Sequence, residues 1–273
     1  MCRKILLSGM ILIFISGCAV LQEFVKKPEV SFEDVSLKDL SLFEVTPVFK
    51  FKVTNSNPMG IDIKNITYDL KINNKPLFKD VINEGIKLPA NGAQFLEVPV
   101  KLNFMDVFET VIDFMKSNKL AYDITGTVGI GPFNIPYHKQ GEIDVPKMPK
   151  ISLKDIKISK FSFSGAEITV KIELENNNSF PVDLTGLDYS MKIGGNELAK
   201  GVAALSSPIE KNGTSLMDIN LNLNFLQLGT SLANILTKPS EGYELVGAMK
   251  FNIPKIGEKS FPFQKTGEVP LLK

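Results

Sequence analysis

Apolar and polar residues alternate along several stretches of this chain. Residues 49–54 read FKFKVT, with an apolar side chain at every second position, and residues 170–175 read VKIELE in the same way. Strict alternation is typical of a strand that buries one face and exposes the other to water. Stretches rich in Asn, Gly and Pro separate such runs, as turns between strands do. The pattern therefore predicts a mainly β fold.

The same order of residues occurs twice, at an offset of 121 positions. VTNSNPMGIDIKNITYDLKI at 53–72 corresponds to LENNNSFPVDLTGLDYSMKI at 174–193. Apolar positions keep their character while their identity drifts, and the identical polar residues fall at turns. Because solenoid repeats span only about 20–50 residues, this longer period indicates two tandem domains. We expect these domains at 28–146 and 147–273.

One segment of each copy departs from the strand pattern. Residues 104–118 and 225–237 place apolar side chains at helical spacing. Together with many short strands, this predicts two tandem antiparallel β-sandwiches, similar to immunoglobulin or fibronectin-III domains, each with one short amphipathic helix. The apolar helix face is expected to be core, and a lipid-accepting groove beneath it is the alternative. The residues of that face are Phe104, Phe108, Val111, Met115, Leu228 and Leu232.

The first 17 residues have the layout of a secretory signal peptide. The positive charges of MCRK precede the apolar run ILLSGMILIFI, which is too short for a comfortable transmembrane helix. The residues ISGC at 15–18 resemble the lipobox of bacterial lipoproteins. This resemblance implies cleavage before Cys18 and acylation of that cysteine, with residues 18–27 as a lipid-anchored linker. An ordinary secretory signal or an N-terminal anchor helix is the alternative.

The cysteine count agrees with a lipid anchor. Cys2 would leave with the signal and Cys18 would be acylated, so the mature domains would contain no thiol for a disulfide or for catalysis. Loss of Arg3 and Lys4 would change the formal net charge from +1 to −1, which gives no electrostatic grip on nucleic acid or anionic lipid. The lipoprotein resemblance further implies the outer membrane of a bacterial envelope, because residue 19 is not the aspartate that retains lipoproteins at the inner membrane.

Residues that could perform chemistry are few. His138 is the only histidine, and Gln264 stands at its place in the second copy, so a surface role is expected. The sequence has no Cys/His cluster for a metal and no nucleotide-binding or hydrolase motif. Asp62 and Asp183 are equivalent, but each is isolated where a calcium loop would cluster several oxygen ligands. We therefore predict a protein that is not an enzyme and that needs no metal or cofactor.

A corner of Asn and Pro followed by a strand with a Tyr occurs in both copies, and its asparagines can cap their own backbone without any ligand. Its residues are Asn55, Asn57, Pro58 and Tyr68 in the first copy, and Asn176, Asn178, Pro181 and Tyr189 in the second. This pattern resembles the late embryogenesis abundant group 2 family, with its LEA14-like or WHy (water stress and hypersensitive response) domain. The central proline of the family's N-P-N corner is replaced by Ser56 and Asn177. The resemblance implies a folded, non-enzymatic β-sandwich linked to desiccation.

These observations predict a lipid-anchored envelope protein without an active site. We expect it to meet the membrane through acylated Cys18 and to shield or bind client proteins or envelope components under water stress. A lipid-binding or lipid-transfer module that uses the apolar groove is one alternative, and stoichiometric bound lipid would favour it. A structural adaptor in an envelope assembly is another, and a specific co-purifying protein would favour that.

Overall fold

The computed structural model of this chain describes residues 25–83, 85–205, 207–228 and 230–271. The predicted signal peptide and Cys18 lie outside the described residues. The described residues form two compact units: unit 1 contains 25–38, 46–101 and 119–143, and unit 2 contains 39–45, 102–118 and 144–271. Segments 39–45, 102–118 and 144–146 of the predicted first domain thus fall in unit 2. The domain boundaries 28–146 and 147–273 stay a prediction. No helix within the described residues is long and apolar enough to cross a bilayer.

The first copy of the repeat forms two antiparallel sheets. One sheet has the order β1-β2-β6, and the other has the order β4-β3-β8-β9 with β5 paired to β3. At residues 44–45, which belong to unit 2, β2 also pairs with β7. The strands are β1 (Glu29–Lys38), β2 (Glu44–Asn55), β3 (Ile61–Ile72), β4 (Lys75–Ile82), β5 (Ile86–Leu88), β6 (Gly92–Pro99), β7 (Leu102–Asn103), β8 (Lys119–Ile130) and β9 (Phe133–Asp144).

The second copy repeats this plan with longer final strands. Its sheets have the orders β10-β11-β14 and β13-β12-β15-β16, and all their pairings are antiparallel. The strands are β10 (Lys150–Phe161), β11 (Gly165–Asn176), β12 (Gly186–Ile193), β13 (Asn196–Ala203), β14 (Gly213–Asn224), β15 (Ser240–Ile253) and β16 (Gly257–Pro270). The prediction of a mainly β fold with tandem antiparallel domains is confirmed.

The core of unit 1 lies between its two sheets. Phe49 and Phe51 of β2 are buried, as the alternation predicts. The ring of Phe49 lies 5.2 Å from that of Tyr122 on β8, and the ring of Phe51 lies 4.4 Å from that of Tyr137 on β9. Each contact joins one sheet to the other. Burial of one such side chain stabilises a fold by about 1.5–3 kcal/mol, so these rings fix the pairing of the two faces.

Unit 2 contains a second aromatic core. Phe43 lies 5.4 Å from Phe261, 5.5 Å from Phe251 and 5.9 Å from Phe114, measured between ring centroids. All four rings are buried. Tilted and edge-on ring pairs at these distances are favourable beyond their buried area. This cluster explains why residues 39–45 and 102–118 belong to unit 2.

The predicted turns have the backbone that their residues favour. Asn73 and Asn74 have φ values of 49° and 65°, and the equivalent Gly194 and Gly195 have 53° and 79°. Two successive positive φ values are those of a type I′ turn, which joins two strands with a two-residue loop. Asparagine and glycine tolerate this conformation better than other residues. The turn signals at these positions are confirmed.

The helical segment of the first copy differs from the prediction of one helix, since it consists of two short helices, α1 (Phe104–Val107) and α2 (Val111–Lys116). In the second copy the described helical residues are α3 (Phe225–Leu228) and α4 (Thr230–Leu236). Phe108 is extended and ends α1. The Oγ1 of Thr110 accepts a hydrogen bond from the backbone N–H of Asp113 at 3.1 Å and so begins a new helix. Thr110 therefore marks the start of a second helix, although the apolar residues keep helical spacing across the gap.

Candidate functional site

The repeated asparagines of the first copy form one hydrogen-bonded corner between β2 and β3. The Oδ1 of Asn55 accepts from the backbone N–H of Asn57 at 3.0 Å and from its Nδ2 at 2.8 Å. The Nδ2 of Asn55 donates to the carbonyl oxygens of Met59 at 2.8 Å and Pro89 at 2.9 Å. Both asparagines are buried. The side chain of Asn55 therefore uses all four of its hydrogen-bonding positions inside the protein.

Asn57 connects this corner to the segment before β1. Its Nδ2 donates to the carbonyl oxygen of Lys26 at 2.7 Å, and its Oδ1 accepts from the backbone N–H of Lys26, also at 2.7 Å. Its own carbonyl accepts from the N–H of Asn91 at 2.8 Å. Three separate backbone segments thus meet at two side chains.

The second copy builds the same corner with the same atoms. The Nδ2 of Asn176 donates to the carbonyl oxygens of Phe180 at 2.8 Å and of Ile209 and Glu210 at 3.1 Å. Its Oδ1 accepts from the N–H and the Nδ2 of Asn178 at 3.0 and 2.8 Å. Asn178 in turn exchanges two hydrogen bonds with the backbone of Lys147, at 2.7 and 2.9 Å.

The chemistry of this corner is structural. Buried amides that are fully hydrogen-bonded to the backbone have no free donor or acceptor for a ligand. Pro58 and Pro181 are exposed beside it. The duplicated asparagines therefore hold three chain segments together, in agreement with the interpretation that the corner needs no ligand. The sequence alone did not indicate the bonds to Lys26 and Lys147.

The repeated tyrosines lie at the strand centres rather than at the corner. Tyr68 pairs in register with Gly126, and Tyr189 with Gly247. Burial raises the pKa of both phenols above the ordinary value, and the charge of Asp80 adds to the effect at Tyr68. A Cβ atom at Gly126 would lie 2.0 Å from the carbonyl oxygen of Thr67, and one at Gly247 would lie 1.9 Å from that of Asp188, so neither position has room for a side chain. Tyr189 itself packs on another glycine, since its hydroxyl would lie 2.9 Å from a Cβ atom at Gly201.

Aromatic rings that lie over glycines form a packing feature that the sequence analysis missed. A Cβ atom at Gly126 would lie 2.6 Å from the hydroxyl of Tyr137, and one at Gly247 would lie 2.9 Å from the ring of Phe263. The pairs Tyr122–Gly141 and Tyr243–Gly267 repeat this packing. The hydroxyl of buried Tyr137 donates to the carbonyl oxygen of Thr67 at 2.8 Å, and burial raises the pKa of Tyr137 far above its ordinary value. The occurrence of glycines at equivalent positions of both copies was the signal in the sequence from which this packing could have been predicted.

His138 lies in an exposed polar cluster on the strands β8 and β9. Its Nε2 is 3.0 Å from the Oδ1 of Asp123, and the Nε2 of Gln140 donates to the Oδ2 of Asp123 at 2.9 Å. The hydrogen bond from Gln140 is the main cause that holds the pKa of Asp123 below its ordinary value, with a contribution from His138. In the second copy the Nε2 of Gln264 donates to Glu244 at 3.1 Å.

The second copy thus replaces the His–Asp pair with a Gln–Glu pair, which cannot transfer a proton through an imidazole. A position that tolerates this exchange is typical of a cross-strand polar pair on a solvent-facing surface. The predicted surface role of His138 agrees with this geometry. Asp62 and Asp183 are exposed, and no three His, Cys, Asp or Glu side chains within the described part of the chain are grouped to hold a metal ion.

The helix-face residues occupy different environments. Phe104 and Leu232 are buried, whereas Phe108, Val111 and Met115 are half-buried. The ring of Phe114 lies 6.1 Å from Phe104 and 5.7 Å from Phe108. The side chain of Leu228 lies outside the described residues. The apolar groove stays a prediction, as does acylation of Cys18.

The fold and its two corners define a class: tandem β-sandwich repeats in which the repeated polar residues hold the backbone. The family model described as "Late embryogenesis abundant protein" (LEA_2) matches residues 50–141 and 171–267. The chain therefore belongs to the LEA_2 family, with one copy in each half.

Two curated plant relatives each correspond to about half of this chain. Late embryogenesis abundant protein Lea14-A of Gossypium hirsutum is 30% identical over 132 residues, which cover 46% of this chain and 87% of that protein. Desiccation protectant protein Lea14 homolog of Glycine max is 24% identical over 128 residues, covering 47% and 84%. The solution structure of the late embryogenesis abundant protein At2g46140.1, of Arabidopsis thaliana, is 22% identical over 48% of this chain and 87% of its own, with a TM-score of 0.38.

Proposed function

We propose that this chain is a non-enzymatic protein that shields client proteins or envelope components when water is lost. The observation that carries the proposal is the match of both halves to the LEA_2 family, which includes relatives named for desiccation protection. The geometry supports it, because the polar side chains that recur in both halves are used internally at the corners. The shielding is therefore assigned to the surface of the sandwiches rather than to a pocket.

The surface of the sheets is charged but balanced. Lys154 lies 2.8 Å from Glu173 and Lys150 lies 3.6 Å from Glu175, each pair crossing from β10 to β11. Exposed pairs of this kind contribute only about 0–1 kcal/mol to stability. They leave a hydrated and nearly neutral surface. The formal net charge is +1 for the full chain and −1 after the predicted loss of Arg3 and Lys4, so it attracts neither polyanions nor polycations strongly. Such a surface can separate other macromolecules without binding them tightly.

The proposal includes a lipid anchor at Cys18 in the outer membrane of a bacterial envelope. It rests only on the signal-peptide and lipobox pattern and on residue 19, which is Ala and not the aspartate of lipoproteins retained at the inner membrane. A cell that expresses the full chain should incorporate a clickable fatty acid into it, and Cys18→Ser should abolish the label. Label that persists in Cys18→Ser, or fractionation with the inner membrane, would contradict this part.

The shielding is tested by drying a fragile enzyme with the protein and measuring the activity recovered on rehydration. An equal mass of an unrelated stable β-sandwich is the control, because any folded protein protects to some extent by crowding. We expect clearly greater recovery with this protein than with the control. Equal recovery would refute the shielding function.

A further inference from the structure

Unit 2 contains the same turn twice. In the first copy the backbone N–H of Ser41 donates to the carbonyl of Glu44 at 2.9 Å, and the N–H of Glu44 donates to the Oγ of Ser41 at 3.0 Å. In the second copy Ser162 and Gly165 make the same two bonds at 2.9 and 3.2 Å. Ser162 and Gly165 lie 121 positions after Ser41 and Glu44, which is the offset of the sequence repeat. The two turns are therefore equivalent parts of the two copies.

A short helix holds each turn in the same way. The N–H of Phe104 donates to the carbonyl of Phe43 at 2.8 Å, and the N–H of Phe225 donates to the carbonyl of Ser164 at 3.0 Å. Phe104 and Phe225 are both buried, and the ring of Phe161 rests 5.6 Å from that of Phe225. The second turn is thus fixed to the core on both sides, so the side chain at its apex is presented by a supported backbone.

The apex residues of the two turns differ sharply in exposure. Leu42 is 5% exposed, whereas Phe163, at the equivalent position, is 91% exposed. Phe161 and Leu226 beside it are 48% and 76% exposed. We call Phe161, Phe163 and Leu226 the exposed tip. A group of exposed apolar side chains at one turn is typical of a contact site.

The area of the exposed tip decides which partner fits. At about 200 Å² for a complete large side chain, the three residues present roughly 400 Å². A stable protein interface needs about 800 Å² on each partner. The tip is also the apex of a hairpin and therefore projects rather than forming a groove. A small projecting apolar group suits a fluid apolar layer, which needs no complementary shape.

The polar residues around the tip are consistent with a lipid surface. Ser162, Ser164 and Asn224 supply uncharged hydroxyl and amide groups, which can lie at the level of lipid headgroups. The nearby Lys160 is paired with Glu167 at 2.9 Å, so the rim has little net charge. We propose that the exposed tip inserts into the interfacial region of a lipid bilayer. This contact is separate from the shielding function and from acylation at Cys18.

The test uses the absence of tryptophan from the chain. The full chain with Phe163→Trp has a single tryptophan, at the apex, which is excited at a wavelength where the five tyrosines absorb little. Val202→Trp, at a position 70% exposed in β13, is the matched control. Both proteins are mixed with phosphatidylcholine vesicles that carry brominated acyl chains. We expect the emission of Phe163→Trp to move to shorter wavelength and its quenching to be several times that of Val202→Trp.

A second variant separates insertion from an effect on folding. Adding Leu226→Ser to the Phe163→Trp chain should lower the quenching severalfold, while the urea midpoint of unfolding stays nearly unchanged because the side chain of Leu226 is 76% exposed. Equal quenching of the apex and control fluorophores would overturn the proposal. A shift to shorter wavelength without vesicles that grows with protein concentration would also overturn it, because a second copy of the chain would then cover the tip.

Discussion

The buried asparagine corner gives the sharpest prediction about stability, and Asn176→Ala is the change that tests it. The side chain of Asn176 is fully buried and donates to three carbonyl oxygens between 2.8 and 3.1 Å. It also accepts two hydrogen bonds from Asn178. Truncation removes all of these bonds and leaves the N–H of Asn178 buried without this acceptor.

The magnitude follows from counting the bonds. A net contribution of about 1 kcal/mol for each bond, with one donor hydrogen shared between two carbonyls, gives roughly 4 kcal/mol, and unsatisfied buried groups add to this cost. We therefore expect Asn176→Ala to lower the free energy of unfolding by about 3–5 kcal/mol. The adjacent Asn177 is exposed, so Asn177→Ala should change it by less than about 0.5 kcal/mol.

Equilibrium urea unfolding followed by far-ultraviolet circular dichroism measures this difference. Both variants replace an asparagine by alanine at neighbouring positions of one corner. The effects of amino-acid composition and of backbone propensity are therefore the same in both, and they cancel when the two free energies of unfolding are compared. Hydrogen exchange at the backbone N–H of Lys147, which donates to the Oδ1 of Asn178, should become faster only in Asn176→Ala. Two variants within about 1 kcal/mol of each other would refute the structural role of the corner, since the lost bonds predict several times that gap.

Three further predictions concern packing and pH. Gly247→Ala should cost at least about 1–3 kcal/mol of stability by urea unfolding, because its methyl group would lie 1.9 Å from a carbonyl oxygen of the neighbouring strand; an unchanged midpoint would contradict the tight packing. Phe43→Ala should lower the free energy of unfolding by about 3–5 kcal/mol by opening the aromatic core of unit 2, whereas Phe163→Ala at the exposed turn should leave it nearly unchanged; equal losses would argue against the burial difference. The lowered pKa of Asp123 stabilises the fold at pH values above its unfolded pKa of about 3.9, and this contribution is lost as the pH falls through the folded value. Gln140→Ala should therefore reduce the loss of stability between about pH 5 and pH 3, and an identical pH profile would refute the assignment.

The alternation of apolar residues predicted the strands well because a strand's pattern is local. Phe49 and Phe51 face the core at the expected period, and the Asn73 turn follows from the conformational preference of asparagine. The helical segment of the first copy was predicted as a single helix because the apolar spacing continues through the break. Thr110 marks that break, since a threonine three residues before an acidic residue is a helix-start signal.

Contacts between segments that are distant along the chain could not be predicted from the sequence. The bonds between Asn178 and Lys147 cross 31 residues, and the ring of Phe43 meets that of Phe251 more than 200 positions away. Leu42 and Phe163 are apolar at equivalent positions, so the pattern is the same although one is buried and the other exposed. Only the fold distinguishes them, because burial depends on which surfaces the tertiary structure brings together.

The central claim, that a folded surface shields other molecules during drying, is tested most directly with the matched asparagine variants. A fragile enzyme is dried with the wild-type chain, Asn177→Ala, Asn176→Ala or an unrelated β-sandwich, at a temperature where only Asn176→Ala is largely unfolded. We predict equal and high recovery of activity with the wild type and Asn177→Ala, and lower recovery with the other two. Equal recovery in all four samples would contradict the claim, because protection would then depend on neither the fold nor the surface of this protein.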